Sequence, residues 1–152
     1  MAENRIELEV AVLGGGFAGV YCAKALTKRL GRKRAANSAI ISEENYMVFQ
    51  PMLPDVAGAE LSPRHVVSPI RTLCRGIQVY RGKVKSIDYP NRTLVLSAGS
   101  FSPDITVHYR HLVLALGATI DLSRVPGMPE HAFLMRNVGD AMKLRATVLS
   151  RF

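Results

Sequence analysis

The sequence predicts an α/β domain in which a parallel sheet carries helices and takes in an antiparallel β-meander before its closing strand. Three observations predict it. The stretch from Ile6 to Leu13 alternates apolar with polar residues, breaks into glycines and runs at once into a small-residue helix pattern. A short apolar run at Ser38–Ile41 follows that helix, so strand, helix and strand form a parallel unit with the usual right-handed crossover. From Ile77 the pattern turns into short strands separated by turn residues. It then ends in a non-alternating apolar run, His111–Ala118, of the kind buried in parallel sheets.

The glycines carry the chemistry. Gly14, Gly15 and Gly16 with Gly19 spell G-x-G-x-x-G between a strand and a helix, the setting in which this spacing holds a dinucleotide pyrophosphate. Gly14 permits the sharp turn, Gly16 leaves the backbone bare for the phosphates, and Gly19 lets the helix lie close on its strand. The anion then meets N–H groups at the helix start. In folds of this kind an acid some twenty residues onward, at the tip of strand two, accepts the ribose hydroxyls. Here the tip reads Ser42-Glu43-Glu44-Asn45. A carboxylate is available with its register open by one residue, and the alternative is a pair of solvated glutamates.

Helix one is expected from Ala18 to about Leu30, with Ala18, Cys22, Ala25 and Leu26 on the buried face and Gly31 as its stop. The segment from Asn45 to Pro69 carries four prolines and begins as an irregular loop of the type that lines a neighbouring site. Ser62-Pro63 should open a helix running through His65 to about Cys74. His65 has no partner visible in the sequence and reads as surface or core. The meander is expected as Ile77–Tyr80, Lys83–Asp88, Thr93–Ser97 and Asp104–Tyr109, with a turn at Tyr89-Pro90-Asn91-Arg92. A Pro126-Gly127 turn, the short apolar run Ala132–Met135 and a helix from about Asp140 follow, the helix building an apolar face from Leu144, Val148 and Leu149.

With 152 residues and a 48% hydrophobic fraction the chain can build a real core. Its start lacks a signal-peptide pattern and no apolar run reaches membrane-spanning length, so a cytoplasmic start is expected. Cys22 and Cys74 form neither a C-x-x-C nor a ligand cluster, which predicts reduced thiols, Cys22 as a packing residue and no metal. The formal charge is +8, and no acid lies between Glu9 and Glu43 while Lys24, Lys28, Arg29, Arg32, Lys33 and Arg34 do. This patch reads as a solvated helix end or as a surface for anionic lipid. Nucleic acid is set aside because no aromatic residues interleave the charges.

Four stretches together resemble the N-terminal FAD-binding part of the type II NADH:quinone oxidoreductases, within the pyridine nucleotide-disulfide oxidoreductase superfamily. They are Val12–Gly19, Asn45–Leu53, Leu61–Arg71 and Tyr109–Ala118. The resemblance implies a Rossmann-like FAD-binding domain over residues 1–120 and, at 121–152, a linker and helix leading toward an NADH-binding domain beyond this chain. It implies that Gly14, Gly15, Gly16, Phe17, Ala18 and Gly19 meet the FAD pyrophosphate and that Val84 offers backbone to the adenine. Gln50 and Pro51 would lie near the flavin ring, and Ala115, Leu116 and Gly117 match the family's Ala-Thr-Gly element. Two positions depart from the family: Ser42 stands where the strand-tip acid belongs, so Ser42 or Glu43 holds the ribose, and Leu116 replaces a threonine. No cysteine lies in 45–60, against dithiol chemistry, and none follows Cys74, which makes a sulfide:quinone oxidoreductase the weaker match. Asp140 after Gly139 mimics a ribitol-binding motif but reads better as an N-cap.

The function so implied is electron transfer from NADH, bound outside this chain, through FAD to a quinone. This chain alone is expected to be inactive. Peripheral contact with the inner face of a membrane and a homodimer of the complete protein are compatible with it. The rival from another class is a non-catalytic nucleotide-binding module or an inactive truncated product.

Overall fold

A computed structural model describes residues 5–97, 99 and 102–151. In chain order the elements are β1 (Arg5–Leu13), α1 (Phe17–Ala35), β2 (Ser38–Ser42), β3 (Tyr46–Val48), α2 (Leu53–Ala57), β4 (Val67–Pro69), α3 (Ile70–Leu73), β5 (Gln78–Arg81), β6 (Lys83–Asp88), β7 (Thr93–Ser97), β8 (Ile105–Leu114), α4 (Met128–His131) and α5 (Val138–Leu149), with 3-10 turns at Gln50–Met52, Pro63–Val66 and Leu122–Arg124. The chain divides into two compact units. The first takes the residues up to Met47 and Pro69–Gly117, and the second takes Val48–Ser68 and the residues from Ala118 on.

In the first unit six strands form one sheet in the order β5-β2-β1-β8-β7-β6. β1 runs parallel to β2, with Val10 opposite Ser38 and Leu13 opposite Ile41, and parallel to β8, with Leu13 opposite Leu114. β5 is also parallel, Ser42 lying opposite Arg81. The Ile77–Tyr80 run is therefore the outer strand of the parallel sheet and not the first strand of the meander. The meander is β6-β7-β8, antiparallel throughout. The two expected strands 104–109 and 111–118 are a single strand that pairs antiparallel with β7 near its start and parallel with β1 along its length. Only Gly82 separates β5 from β6, although these strands stand at opposite edges of the sheet order. A one-residue link spans only a few ångströms, so the sheet must curl until its edges meet.

That curl gives the sheet two filled faces. Leu8, Ala11, Leu13, Ala39 and Ile41 pack against Leu94, Leu96, Val107 and Tyr109 of the meander. On the other face Val10, Val12 and Ile40 pack against Val20 and Ala23 of α1 and against Ile70 and Cys74. The buried stripe of α1 is thus Gly19, Val20 and Ala23, with Cys22 and Leu26 at its border, whereas Ala18 and Ala25 are exposed. The helix breaks at Gly31, whose φ of 75° lies in the left-handed region, and one further turn follows. The closing strand is less covered than its apolar sequence predicts. Leu112 and Val113 are half-buried and Leu114 is 54% exposed.

Asn45–Pro69 is ordered rather than loose. β3 and β4 pair as an antiparallel ribbon, bracketed by the Phe49 N–H donating to the Val66 carbonyl at 2.7 Å and the Ile70 N–H donating to Asn45 at 2.9 Å. The expected helix from Ser62 to Cys74 is broken: a 3-10 turn ends at Val66, β4 intervenes, and α3 starts only after Pro69, which cannot continue a hydrogen-bonded helix from before it. The second unit packs Leu53, Val56 and Val66 around Ala141 of α5. No helix among the described residues is long and apolar enough to cross a membrane.

Candidate functional site

The glycine turn sits at the carboxyl end of β1, where β2 and β8 also end. The Gly14 N–H donates to the Ile41 carbonyl at 2.8 Å and the Ala115 N–H donates to Leu13 at 2.8 Å, so three strand ends are locked together. Each glycine answers to a different neighbour. Gly14 has φ 112°, and a Cβ there would strike the Ala115 carbonyl. A Cβ on Gly19 would strike the Gly14 carbonyl, with Ala115 Cβ 3.6 Å away. A Cβ on Gly15 would run into Ser42 Oγ and Ile70. A Cβ on Gly16 would meet nothing within 4 Å. Three of the four are bare because the protein occupies the space, and Gly16 alone faces open room.

Gly16 is also the N-cap of α1 and provides no side-chain cap, and the first turn contains no acid. The positive end of the helix dipole therefore has no capping side chain and no first-turn acid beside it, and Gly16, Phe17 and Ala18 are exposed. A phosphate brought to such an end is stabilised by the dipole and by backbone N–H donors. The geometry fits a pyrophosphate.

Ser42, Glu43, Val84 and Ala115–Gly117 belong to the same unit as this turn, and of these Ser42, Ala115 and Leu116 border its glycines. Ser42 is half-buried with its side chain against Gly15, while Glu43 lies past the strand end with its side chain exposed. Arg81 was not singled out by the sequence. It is the register partner of Ser42, and its Nε donates to the Glu43 carbonyl at 3.1 Å. The Gly82 N–H donates to Ser42 at 2.9 Å. The signal that could have found Arg81 is its place at the end of the third parallel strand. Val84 is half-buried on β6, beside a register irregularity between Val84 and Ser86. Leu116 is 62% exposed and Gly117 takes φ 73°.

Gln50 and Pro51 belong to the second unit, in an exposed 3-10 turn. There the Gln50 amide donates to the Arg136 carbonyl at 3.0 Å. Arg136 is held in turn, because its N–H donates to Asp140 Oδ2 at 2.9 Å and its guanidinium donates to the Ala118 carbonyl. Asp140 is not the N-cap of α5. Asn137 is, accepting the Asp140 N–H at 2.8 Å, while the Asp140 carboxylate at N3 accepts back from the Asn137 N–H at 3.2 Å. This reciprocal capping box uses the carboxylate that the sequence left between a cap and a ribitol ligand. On α5 Val148 and Leu149 are exposed, and with Leu144 and Ala57 they line an apolar cleft of about 420 Å³.

His65 is exposed, its backbone N–H bonded to Ser62 at 2.9 Å. Cys22 and Cys74 are free thiols, and burial pushes the Cys74 thiol up, against a smaller downward pull from Lys24. Among the described residues no group of three or more His, Cys, Asp or Glu is placed to hold a metal ion.

Strand, bare turn and helix of this geometry define a nucleotide-binding fold. Residues 8–151 match the family pyridine nucleotide-disulphide oxidoreductase, and the chain belongs to that family. Within it the chain is similar to the external alternative NAD(P)H-ubiquinone oxidoreductase B1, mitochondrial, of Solanum tuberosum, 30% identical over 94% of this chain and 26% of the relative. It is also similar to the mitochondrial sulfide:quinone oxidoreductase of Mus musculus, 30% identical over 80% of this chain and 26% of the relative. Among solved structures, NDH2 from Plasmodium falciparum in complex with NADH has a TM-score of 0.78 at 20% identity, covering 94% of this chain and 29% of that one. The chain spans about a quarter of the length of the curated relatives it matches.

Proposed function

We propose that this chain is the FAD-binding part of a flavin-dependent NADH dehydrogenase that passes electrons to a quinone. The observation that carries the reading is the contrast within the glycine motif, where Gly14, Gly15 and Gly19 are closed by protein atoms and Gly16 opens onto free space. That is the arrangement a pyrophosphate-binding turn requires. The names of the relatives, NAD(P)H-ubiquinone oxidoreductases, support the donor and acceptor.

In this reading Gly14 to Gly19, with Phe17 and Ala18, hold the pyrophosphate through backbone and helix dipole. Glu43 or Ser42 takes the ribose hydroxyls, and Arg81, fixed on the Glu43 carbonyl, braces that tip. Val84 offers backbone to the adenine, Ala115 to Gly117 form the opposite wall, and Gln50-Pro51 approaches the ring. Bound FAD supplies hydride acceptance and onward electron transfer, while the residues of this chain bind and orient it. With one glycine motif in the sequence, the nicotinamide site belongs to a part of the protein outside this chain. Residues 1–120 form the flavin domain and 121–152 lead toward the NADH domain. The complete protein is a peripheral one on the inner, cytoplasmic face of a membrane and associates as a homodimer.

Titration of the purified chain with FAD, with NAD⁺ as competitor, tests the reading. FAD should bind and NAD⁺ should displace it poorly. Tighter binding of NAD⁺ would overturn the assignment of this turn to flavin.

A further inference from the structure

The helical face of the first unit carries the whole formal charge of the chain. Lys24, Lys28, Arg29, Arg32, Lys33 and Arg34 are exposed on α1 and the turn after its break. The fold then adds two cations that lie far off in sequence. α1 and α3 share one core cluster on the same face of the sheet, so the exposed Arg71 and Arg75 flank α1. A Cβ on Gly76, beside Arg75, would lie 2.9 Å from Thr27 Cγ2 and 3.3 Å from Arg32 Cγ. Lys24 is close enough to lower the Cys74 thiol. These eight cations equal the formal charge of +8, so the other twelve Lys and Arg balance the twelve Asp and Glu. Glu9, the acid nearest in sequence before α1, is engaged by Arg110 at 3.1 Å. Among the described residues none of the eight is in an ion pair.

We propose that this α1/α3 face docks the protein on an anionic phospholipid bilayer. Tyr21 shares the ridge of Lys24 and Lys28 at helical spacing, is 62% exposed, and has the Lys24 ammonium 5.3 Å from its ring centroid. A tyrosine among long basic stems is what a headgroup layer accepts, ring and stems in the interface and charges at the phosphates. A nucleic acid would call for several aromatics spaced along the charges, and α1 offers this one tyrosine on its basic ridge. The proposal deepens the membrane contact suggested above by naming its surface. Vesicle binding is read without nucleotide or turnover, so failure of this proposal and failure of the flavin reading are distinguishable.

The experiment is co-sedimentation of the purified chain with phosphatidylcholine vesicles, with and without phosphatidylglycerol, at low and high salt. Binding should require the anionic lipid and fade with salt. The triple reversal Lys24→Glu, Lys28→Glu and Arg29→Glu should weaken it at least about tenfold, while Lys83→Glu with Arg92→Glu, exposed at the β6–β7 hairpin of the same unit and outside the face, should not. The milder set Arg32→Gln, Lys33→Gln and Arg34→Gln should give a smaller loss, and circular dichroism checks the fold of each variant. Equal binding to neutral vesicles, an unchanged triple reversal, or an equal loss in the outside pair would overturn the proposal. So would an RNA oligonucleotide that binds where vesicles do not, which would assign the face to nucleic acid.

Discussion

The glycine turn of the first unit and the α5 entry of the second solve the same problem, the start of a helix, in opposite ways. At α1 the cap is a glycine without a side chain, the first turn holds no acid, and a Cβ on Gly16 would point into open space. At α5 the cap is Asn137, the acid Asp140 answers it, and the same carboxylate also takes the Arg136 N–H. One helix start is capped by side chains and the other has no side-chain cap. Side-chain caps stabilise a helix start, so the capped start of α5 serves the structure, and the uncapped start of α1 is the one the proposed function assigns to a pyrophosphate.

That difference predicts distinct responses to substitution. The largest effect should come from closing the turn on the protein itself. Gly19→Val drives side-chain atoms into the Gly14 carbonyl and should cost at least about 2 kcal/mol, read as a lower urea midpoint. A midpoint equal to that of the parent would mean that the helix does not need its close approach to β1.

The β2 tip, proposed to take the ribose, comes next. A hydrogen bond to an ionised acceptor contributes about 1.5 to 3 kcal/mol, so Glu43→Ala should weaken FAD binding about tenfold to a hundredfold, and Glu44→Ala much less. A loss confined to Ser42→Ala would transfer the role to the serine already seated against Gly15.

At the capped start, Asp140→Ala removes the acceptor of two backbone N–H groups and should destabilise the fold by about 1 to 2 kcal/mol. It should also free the Gln50 turn, which hangs on the Arg136 carbonyl. Hydrogen exchange at 49–53 and 136–140 would report it, and unchanged protection would show that the cap is redundant.

The smallest effect is at the β6–β7 turn. The Asn91 side chain and backbone N–H hold the Asp88 carboxyl below the usual carboxylate range. A depressed folded-state value means the contribution is present above the ordinary carboxylate pKa and is lost as the pH falls through the lowered one. An NMR titration of Asp88 should give a value below that of the Asn91→Ala variant; equal values would remove the turn contact as the cause.

What was legible in the sequence follows the same line. The bare start was readable because its constraints are backbone constraints between near neighbours, so Gly14, Gly16 and Gly19 could each be given a task. β2 and the β6–β7 hairpin were readable for the same reason. The place of β5 was not, because an alternating four-residue run looks the same whether its partner is β2 or β6, and only the one-residue link at Gly82 forces the sheet to curl. β8 looked like two strands because Arg110 interrupts the apolar pattern, yet that arginine pairs with Glu9 across the sheet. In the second unit the bond from Gln50 to Arg136 joins residues 86 apart, a distance at which local pattern is silent. Asp140 was misplaced by three positions because Asn137 competes for the same cap. The basic stretch of α1 stood out at once, but the contribution of Arg71 and Arg75 needed the packing of α3 beside it.

The central claim is that Gly16 is bare for a ligand and not for the protein. Gly16→Val tests it when stability and FAD binding are measured on the same purified sample, beside Gly19→Val. The Gly16 variant should melt within about 0.5 kcal/mol of the parent and bind FAD too weakly to detect. A Gly16 variant that binds FAD as the parent does, or that loses FAD only because it has unfolded, would contradict the account.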